Sequence, residues 1–200
     1  MTPELAEAVA TLERGGIVCL PTETYYGLAV DALSHVAVDR LAALKGREGK
    51  AMATIVPHLE AARRLWAAVS PQLEALALRH WPGPLTIVAP ARPEVPRALV
   101  GPSGGVGARV SSHALAHAVA TAFARPITAT SANQPGAAPA RTVAEARAQL
   151  GALVDYYLDG GEAPGGDPST IVDEDPGGAL RVIRRGPVAI PQEPQEPQEP

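Results

Sequence analysis

Six short polar segments of this chain contain side chains that could bind or transfer a charged group. They lie near the ends of predicted strands, where α/β sheets place their binding crevices. Together they supply several cations, several hydroxyls and an amide, but no nucleophile next to a general base. This inventory suits a site that holds a polyphosphate and a small polar molecule by charge and position. The segments are PTETYYGL (21–28), KGREGK (45–50), GARVSSH (107–113), TATSAN (128–133), STIVD (169–173) and RRG (184–186).

Both lysines of the chain lie in one of these segments. Lys45 and Lys50 flank Arg47, and every other cation among the 17 Lys and Arg residues is arginine. A compositional bias explains why lysine is rare, but not why both lysines lie here. The ammonium is a compact point charge suited to phosphate, which favours Lys45 as a phosphate ligand. In the alternative, Lys45 and Arg47 complement the negative end of a helix dipole, which stabilises a helix by about 0.3–1 kcal/mol per charge.

The other segments also have purely structural alternatives. The PTET segment is compatible with a turn led by Pro21, and Arg109 with a charge that protects an edge strand. The SAN segment, 131–133, is compatible with an Asx-type turn. Each alternative explains its own segment, but none explains six polar segments at successive strand ends. Their joint occurrence therefore favours a binding crevice.

Motifs of several other enzyme classes are absent or out of context. GPSGG at 101–105 matches the serine-hydrolase pattern, but proline-rich sequence precedes it and a predicted strand follows, so Ser103 is interpreted as a loop residue. Neither the phosphate-binding loop nor the dinucleotide fingerprint occurs. His113 and His117 are spaced to share a metal on a predicted helix, yet no third ligand has a suitable spacing, which favours a surface or core-edge role.

Charge and cysteine content limit the binding partners and the cellular compartment expected for this protein. The formal net charge is −4, and three of the acidic residues, Glu193, Glu196 and Glu199, lie in the final segment. The rest is close to neutral, so bulk charge does not drive it onto nucleic acid or membrane. A lone Cys19 excludes an intrachain disulfide, and no apolar run approaches membrane-spanning length. These features predict a cytoplasmic protein.

Alternating helices and strands must position the polar segments. Thr2, Ser34 and Thr142 are predicted helix N-caps, and the helix after Ser34 ends near Lys45 and Arg47. One or two further helices are predicted at 59–80 and another at 112–124. Strands are predicted at 17–20, 53–56, 85–89 and 106–110, at PITATSAN, and in VDYYLDGG, STIVDE and ALRVIRRG.

This alternation predicts a single α/β domain built on a mixed sheet. The domain is expected to cover residues 1–190. Residues 191–200, PQEPQEPQEP, contain too little apolar surface to bury and are predicted to be a disordered tail.

The order of the motifs resembles the YrdC-like family, the threonylcarbamoyl-AMP synthases that start the t6A modification of tRNA. The resemblance runs from about Leu12 to Gly186. It implies a single-domain open twisted mixed sheet with flanking helices, the short form of the family. The motifs that carry it are, in order, LPTETYYGL, LKGRE, WPGPLT, VGARVSSH, TATSANQPGAAPA, LDGG, STIVD and IRRG.

The resemblance implies a nucleotidyltransferase that makes threonylcarbamoyl-AMP and pyrophosphate from L-threonine, bicarbonate and ATP. The product serves t6A modification of tRNAs that read codons beginning with adenine. The expected catalytic residues are the pairs that match the K-x-R and S-x-N motifs of the family, Lys45 with Arg47 and Ser131 with Asn133. The expected threonine-binding residues are Thr24, Arg109 and Ser169, and the expected nucleotide-binding residues are Lys45, Arg47, Lys50, Ser131, Asn133 and Arg184.

The resemblance also implies Mg²⁺, carried by ATP and not by protein side chains. The expected partners are ATP, L-threonine, bicarbonate, the proteins that transfer threonylcarbamoyl to tRNA, and weakly bound tRNA, with no membrane contact. Two alternatives stay open. One is a non-catalytic RNA-binding module that uses the same basic concave face, and the other is a carbamoyl-transfer relative with a different acceptor.

Overall fold

Nine strands form one mixed sheet in the computed structural model of this chain, which describes residues 1–46 and 51–190. Their order across the sheet is β7-β1-β2-β6-β3-β5-β4-β8-β9. The pairs β1 with β7, β3 with β5 and β4 with β8 are parallel, and the others are antiparallel. The strands are β1 (Val18–Pro21), β2 (Tyr26–Ala29), β3 (Ala53–Ile55), β4 (Leu85–Pro90), β5 (Gly105–Arg109), β6 (Ile127–Ser131), β7 (Tyr156–Tyr157), β8 (Thr170–Glu174) and β9 (Leu180–Arg184).

The helices begin where the sequence provides capping side chains. Thr2 accepts a hydrogen bond from the amide of Leu5, and Ser34 and Thr142 cap their helices in the same way, which confirms the three predicted N-caps. The predicted 59–80 segment is two helices, the second capped by Ser70. The α-helices are α1 (Pro3–Glu13), α2 (His35–Leu44), α3 (Leu59–Ala62), α4 (Pro71–His80), α5 (Ala114–Phe123) and α6 (Val143–Leu150).

Helices cover the sheet on two sides, with an apolar cluster under each group. Residues of α1 and α5, such as Leu12 and Val119, share one buried cluster with Leu20 and Ile127 of the strands. Residues of α2, α4 and α6 share the second, larger cluster with alternate strand residues. The mixed sheet with flanking helices predicted from the sequence is confirmed.

One part of the face under α1 and α5 carries only small side chains. On the adjacent strands β2, β6 and β3, the residues Ala29, Ile127 and Ile55 belong to the cluster under these helices. Two positions along each strand, on the same face because side chains alternate, lie Gly27, Ala129 and Ala53. These small residues border an open cavity, so the sheet itself forms the floor of a concave site.

Two expectations from the sequence are corrected by the sheet. Strand β2 was not predicted as a separate strand, but it pairs with both β1 and β6. The sequence shows little alternation of polar and apolar residues in this strand, because one of its faces carries only Gly27 and Ala29. The interpretation of Arg109 as the protecting charge of an edge strand is wrong, since β5 lies between β3 and β4.

Some predictions fall on residues that the structure does not describe. Arg47 and Lys50 lie outside the described residues, as does the predicted tail at 191–200. Within residues 1–46 and 51–190, none of the helices combines the length and apolar character needed to cross a lipid bilayer.

Candidate active site

A cavity of about 470 Å³ lies above the small residues of β2, β3 and β6. One wall is the turn between β1 and β2, residues 22–25, and the opposite wall comes from the ends of β5 and β9 and the segment before β8. Five residues predicted from the sequence line this cavity together: Thr24, Arg109, Ser131, Ser169 and Arg184. The chain therefore brings five of the six polar segments to one place.

Arg109 lies at the end of β5 and is held by a carboxylate. Its Nε donates to Glu23 Oε1 at 2.7 Å, and the side chains are only 9% and 11% exposed. The second oxygen of Glu23 accepts a hydrogen bond from Ser111 Oγ. Glu23 was not among the predicted site residues. The acidic residue inside PTET was visible in the sequence, but nothing there indicated a partner 86 positions away.

Arg184 binds Ser169 in the wall that faces the 22–25 turn. Its Nε and Nη2 donate to the Ser169 carbonyl at 3.0 and 2.9 Å, and Nη2 also reaches Ser169 Oγ at 3.1 Å. Behind it, Ser169 Oγ shares a buried hydrogen bond with Thr86 Oγ1 at 2.9 Å. Ser169 and Arg184 thus form one unit, anchored on β4.

The two arginines make the cavity electrostatically suited to an anion. Partial burial lowers the pKa of Arg184, and the nearby charge of Arg109 lowers it further. Within the described residues, no carboxylate forms an ion pair with Arg184, whereas Arg109 is paired with Glu23. An anionic ligand would relieve the repulsion between the two guanidinium groups.

Lys45 and Asn133 lie behind the cavity lining and bind each other. Lys45 is the C-cap residue of α2 and is buried, with Nζ 2.8 Å from the Ser131 carbonyl, 2.6 Å from the Asn133 carbonyl and 3.0 Å from Asn133 Oδ1. Asn133 Nδ2 in turn donates to the carbonyls of Gln134 and Ala137. These contacts shape the loop after β6 and hold Ser131 at the cavity edge.

Thr24 lies on a turn whose hydrogen bonds are largely internal. Thr22 Oγ1 donates to the Tyr25 carbonyl at 2.7 Å and accepts from the Thr24 amide at 3.3 Å. The Gly165 amide donates to the Thr24 carbonyl at 2.6 Å, which ties the turn to the segment before β8. The turn interpretation of PTET is therefore compatible with a position of Thr24 in the cavity wall.

The donor set of the cavity does not form a metal cage of its own. Among the described residues, there is no group of three His, Cys, Asp or Glu side chains close enough to hold a metal ion. Glu23 is the one carboxylate among the described lining residues, and both of its oxygens are hydrogen bonded. Mg²⁺ commonly keeps several waters and binds through substrate phosphates, so these residues fit a metal that arrives with a nucleotide.

Comparisons with known proteins find relatives along most of the chain. The threonylcarbamoyl-AMP synthase of Thiobacillus denitrificans is 39% identical over 173 residues, which are 86% of this chain and 92% of that protein. The threonylcarbamoyl-AMP synthase of Coxiella burnetii is 34% identical over 182 residues, 90% of this chain and 98% of that protein. The crystal structure of P. abyssi Sua5 complexed with L-threonine superposes with a TM-score of 0.85 at 32% identity, and covers 93% of this chain and 55% of that chain.

The chain thus spans about the full length of the two synthases and about half of the longer Sua5 chain. The model of the Sua5/YciO/YrdC family, described as telomere recombination, matches residues 10–186, which include every lining residue of the cavity. Because the family model, the relatives and the fold all cover nearly the same residues, this chain belongs to the Sua5/YciO/YrdC family.

Proposed function

We propose that this chain is a threonylcarbamoyl-AMP synthase that uses L-threonine, bicarbonate and ATP and releases pyrophosphate. The observation that carries the proposal is the cavity in which Arg109, Arg184, Ser131 and Ser169 meet. It offers two cations for anionic groups and hydroxyls for orientation, and no covalent nucleophile is needed. The names of the two bacterial relatives and the L-threonine in P. abyssi Sua5 support the same conclusion.

Threonine is assigned to the side of the cavity formed by Thr24, Arg109 and Ser169. The planar guanidinium of Arg109 has the geometry to clamp the amino-acid carboxylate through two parallel hydrogen bonds. The hydroxyls of Thr24 and Ser169 orient the rest of the molecule. Arg109 is nearly buried, so water screens its charge little, and the ion pair with Glu23 offsets part of that charge.

The nucleotide is assigned to the side formed by Ser131 and Arg184. Lys45 and Asn133 support this side through the loop after β6. Arg47 and Lys50, which follow Lys45 in the chain, are proposed to supply phosphate charge. The proposed catalytic set therefore stays Lys45, Arg47, Ser131 and Asn133, with Lys45 and Asn133 acting in part by holding the loop.

The proposed reaction joins two anions. The threonine amine first takes up the carbon of bicarbonate, and the C–N bond forms with loss of water. A carbamate oxygen of this N-carboxylated threonine attacks the α-phosphorus of ATP, the new P–O bond forms, and the bond to pyrophosphate breaks with its electron pair on the leaving group. Cations offset the repulsion and the developing charge, and bound hydroxyls hold the two groups in line. We propose that Mg²⁺ accompanies ATP and neutralises phosphate charge, without protein carboxylate ligands.

The wider setting follows from the proposed product. We propose that threonylcarbamoyl-AMP passes to proteins that transfer its threonylcarbamoyl group to tRNA, and that the chain itself contacts tRNA only weakly. A cytoplasmic location is proposed on the same grounds, because ATP and tRNA are available there. The buried Cys19, whose pKa burial raises to about 12, is compatible with a reducing compartment.

The decisive experiment is a pyrophosphate-release assay with purified full-length chain. Release is expected only when L-threonine, bicarbonate, ATP and Mg²⁺ are all present, with threonylcarbamoyl-AMP detected by mass spectrometry. Omitting either threonine or bicarbonate should reduce release to background. Release that ignores threonine would contradict the proposal and favour another acceptor. Tight RNA binding without turnover would favour the RNA-binding alternative.

A further inference from the structure

Glu23 has no role in the proposed chemistry, although it lies in the cavity wall. Its side chain is 11% exposed, and it is the one carboxylate among the described lining residues. A carboxylate in an anion-binding cavity repels the substrates unless a cation compensates it. Its presence therefore calls for a role other than direct contact with phosphate or carboxylate.

Both oxygens of Glu23 are engaged by protein donors. Oε1 accepts from Arg109 Nε at 2.7 Å, and the other oxygen accepts from Ser111 Oγ. Ser111 lies two residues after Arg109 and is fully buried. The turn before β2 is thereby attached to the end of β5, and the carboxylate is held in one orientation.

This arrangement leaves a defined part of Arg109 for a ligand. A guanidinium has five N–H donors in one plane, and Glu23 occupies the one at Nε. No acceptor among the described residues bonds the terminal nitrogens of Arg109. Those two nitrogens are the pair that can clamp a second carboxylate in the same plane.

We propose that Glu23, held by Ser111, is a positioning residue that orients Arg109 toward the carboxylate of the amino-acid substrate. The inference rests on the proposed function. Without Glu23, Arg109 would keep its charge but lose the contact that holds its plane.

The test measures binding of two ligands by titration calorimetry, L-threonine and L-threoninamide, whose carboxylate is replaced by a neutral amide. The variants are Glu23→Gln, Ser111→Ala, Arg109→Ala and the double variant with Glu23→Gln and Arg109→Ala. Thermal unfolding of each variant reports whether it is folded. Pyrophosphate release as a function of threonine and of ATP gives the two KM values.

Glu23→Gln should weaken threonine binding about tenfold, since a charge-assisted contact that orients Arg109 is lost. Threoninamide binding and the KM for ATP should change by less than about twofold, because neither depends on the substrate carboxylate. Ser111→Ala should also weaken threonine binding, by about threefold, because it removes one hydrogen bond and leaves the charge of the site unchanged. The loss of discrimination between the two ligands is a result that general destabilisation would not produce.

The double variant separates positioning from direct contact. In the Arg109→Ala background, Glu23→Gln should cost less than about twofold or partly restore threonine binding, because it removes a carboxylate left without its cation. Additive losses would instead show that Glu23 contacts the substrate, and would overturn the proposal. Equal weakening of threonine and threoninamide would overturn it as well.

A matched control is available outside the cavity. Asp31, 9% exposed, pairs with Arg125 at 2.9 Å beyond the opposite end of β2. Asp31→Asn should leave both ligand affinities within about twofold of the parent.

If Glu23→Gln fails to fold, Ser111→Ala carries the test alone, and unchanged threonine affinity in that folded variant refutes the inference. A parent chain that shows no threonine-dependent pyrophosphate release would refute the proposed function instead.

Discussion

Lys45 shows how a single cation can support a site from behind. The sequence predicts it as a phosphate ligand, and the structure places its ammonium 2.6–3.0 Å from three oxygens of Ser131 and Asn133. Its compact charge lies where these oxygens converge. A planar guanidinium cannot place its donors on three converging acceptors in the same volume. The contacts that hold the loop after β6 therefore favour lysine at this position.

Lys45→Arg should keep the fold and lose most synthesis, with pyrophosphate release reduced by roughly 10²-fold or more, because a displaced Ser131 loop misplaces the reactants. Circular dichroism and thermal unfolding check the fold, and the release assay checks activity. Arg97→Lys is the control, since that guanidinium makes an exposed hydrogen bond to Val100. Full activity of Lys45→Arg would refute the assigned role.

Strands β2, β6 and β3 divide one face of the sheet into a covered part and an open part. The large residues Ile127 and Ile55 lie under α1 and α5, whereas Gly27, Ala129 and Ala53 form the cavity floor. The division depends on side-chain size at positions two residues apart. A larger side chain on the floor would extend into the space proposed for the reactants.

Ala129→Leu should therefore raise the KM for threonine or ATP at least about tenfold while the chain stays folded, because the added atoms enter the cavity and not the core. Steady-state kinetics and thermal unfolding test this together. Ala122→Leu, the same change at an exposed position of α5, should leave both KM values unchanged. Unchanged kinetics in Ala129→Leu would mean that the reactants do not bind over this floor.

The stability of the fold depends on contacts that join elements distant in the chain. Asp155 accepts from Arg40 of α2 through both oxygens, at 2.7 and 3.1 Å, and from the Ile17 amide before β1 at 2.7 Å. The hydrogen bond from Arg40, more than that from Ile17, holds the pKa of Asp155 below its usual value. A lowered pKa means that the folded state favours the ionised carboxylate. The resulting stabilisation of the folded state is complete at pH values above the pKa of Asp155 in the unfolded chain, near pH 4. It is lost as the pH falls through the pKa of Asp155 in the folded chain.

Asp155→Asn should lower the Tm by a few degrees at pH 7, and the difference from the parent should shrink as the pH falls below about 4. Thermal unfolding at several pH values measures the effect. Glu7→Gln, which removes an exposed ion pair with Arg14, should change the Tm little at any pH. A difference that is constant with pH would show that ionisation of Asp155 does not stabilise the fold.

Much of this protein follows from local sequence chemistry. Thr2, Ser34 and Thr142 mark helix starts because a side-chain oxygen before a helix satisfies an amide three residues on. The order of motifs identifies the family, and the polar segments at strand ends indicate the cavity residues Thr24, Arg109, Ser131, Ser169 and Arg184. These signals are local, so they can be detected in a single sequence.

The remaining features depend on pairings between distant residues. Sheet order placed β5 in the interior of the sheet and so gave Arg109 a buried setting. It also brought Glu23 to Arg109, and Lys45 to Ser131 and Asn133, across more than 80 positions. Sequence spacing carries no information about such contacts, because strand pairing is fixed by packing of the complete sheet. The chain's residue types therefore determine which chemistry is available, and the fold determines which charges meet.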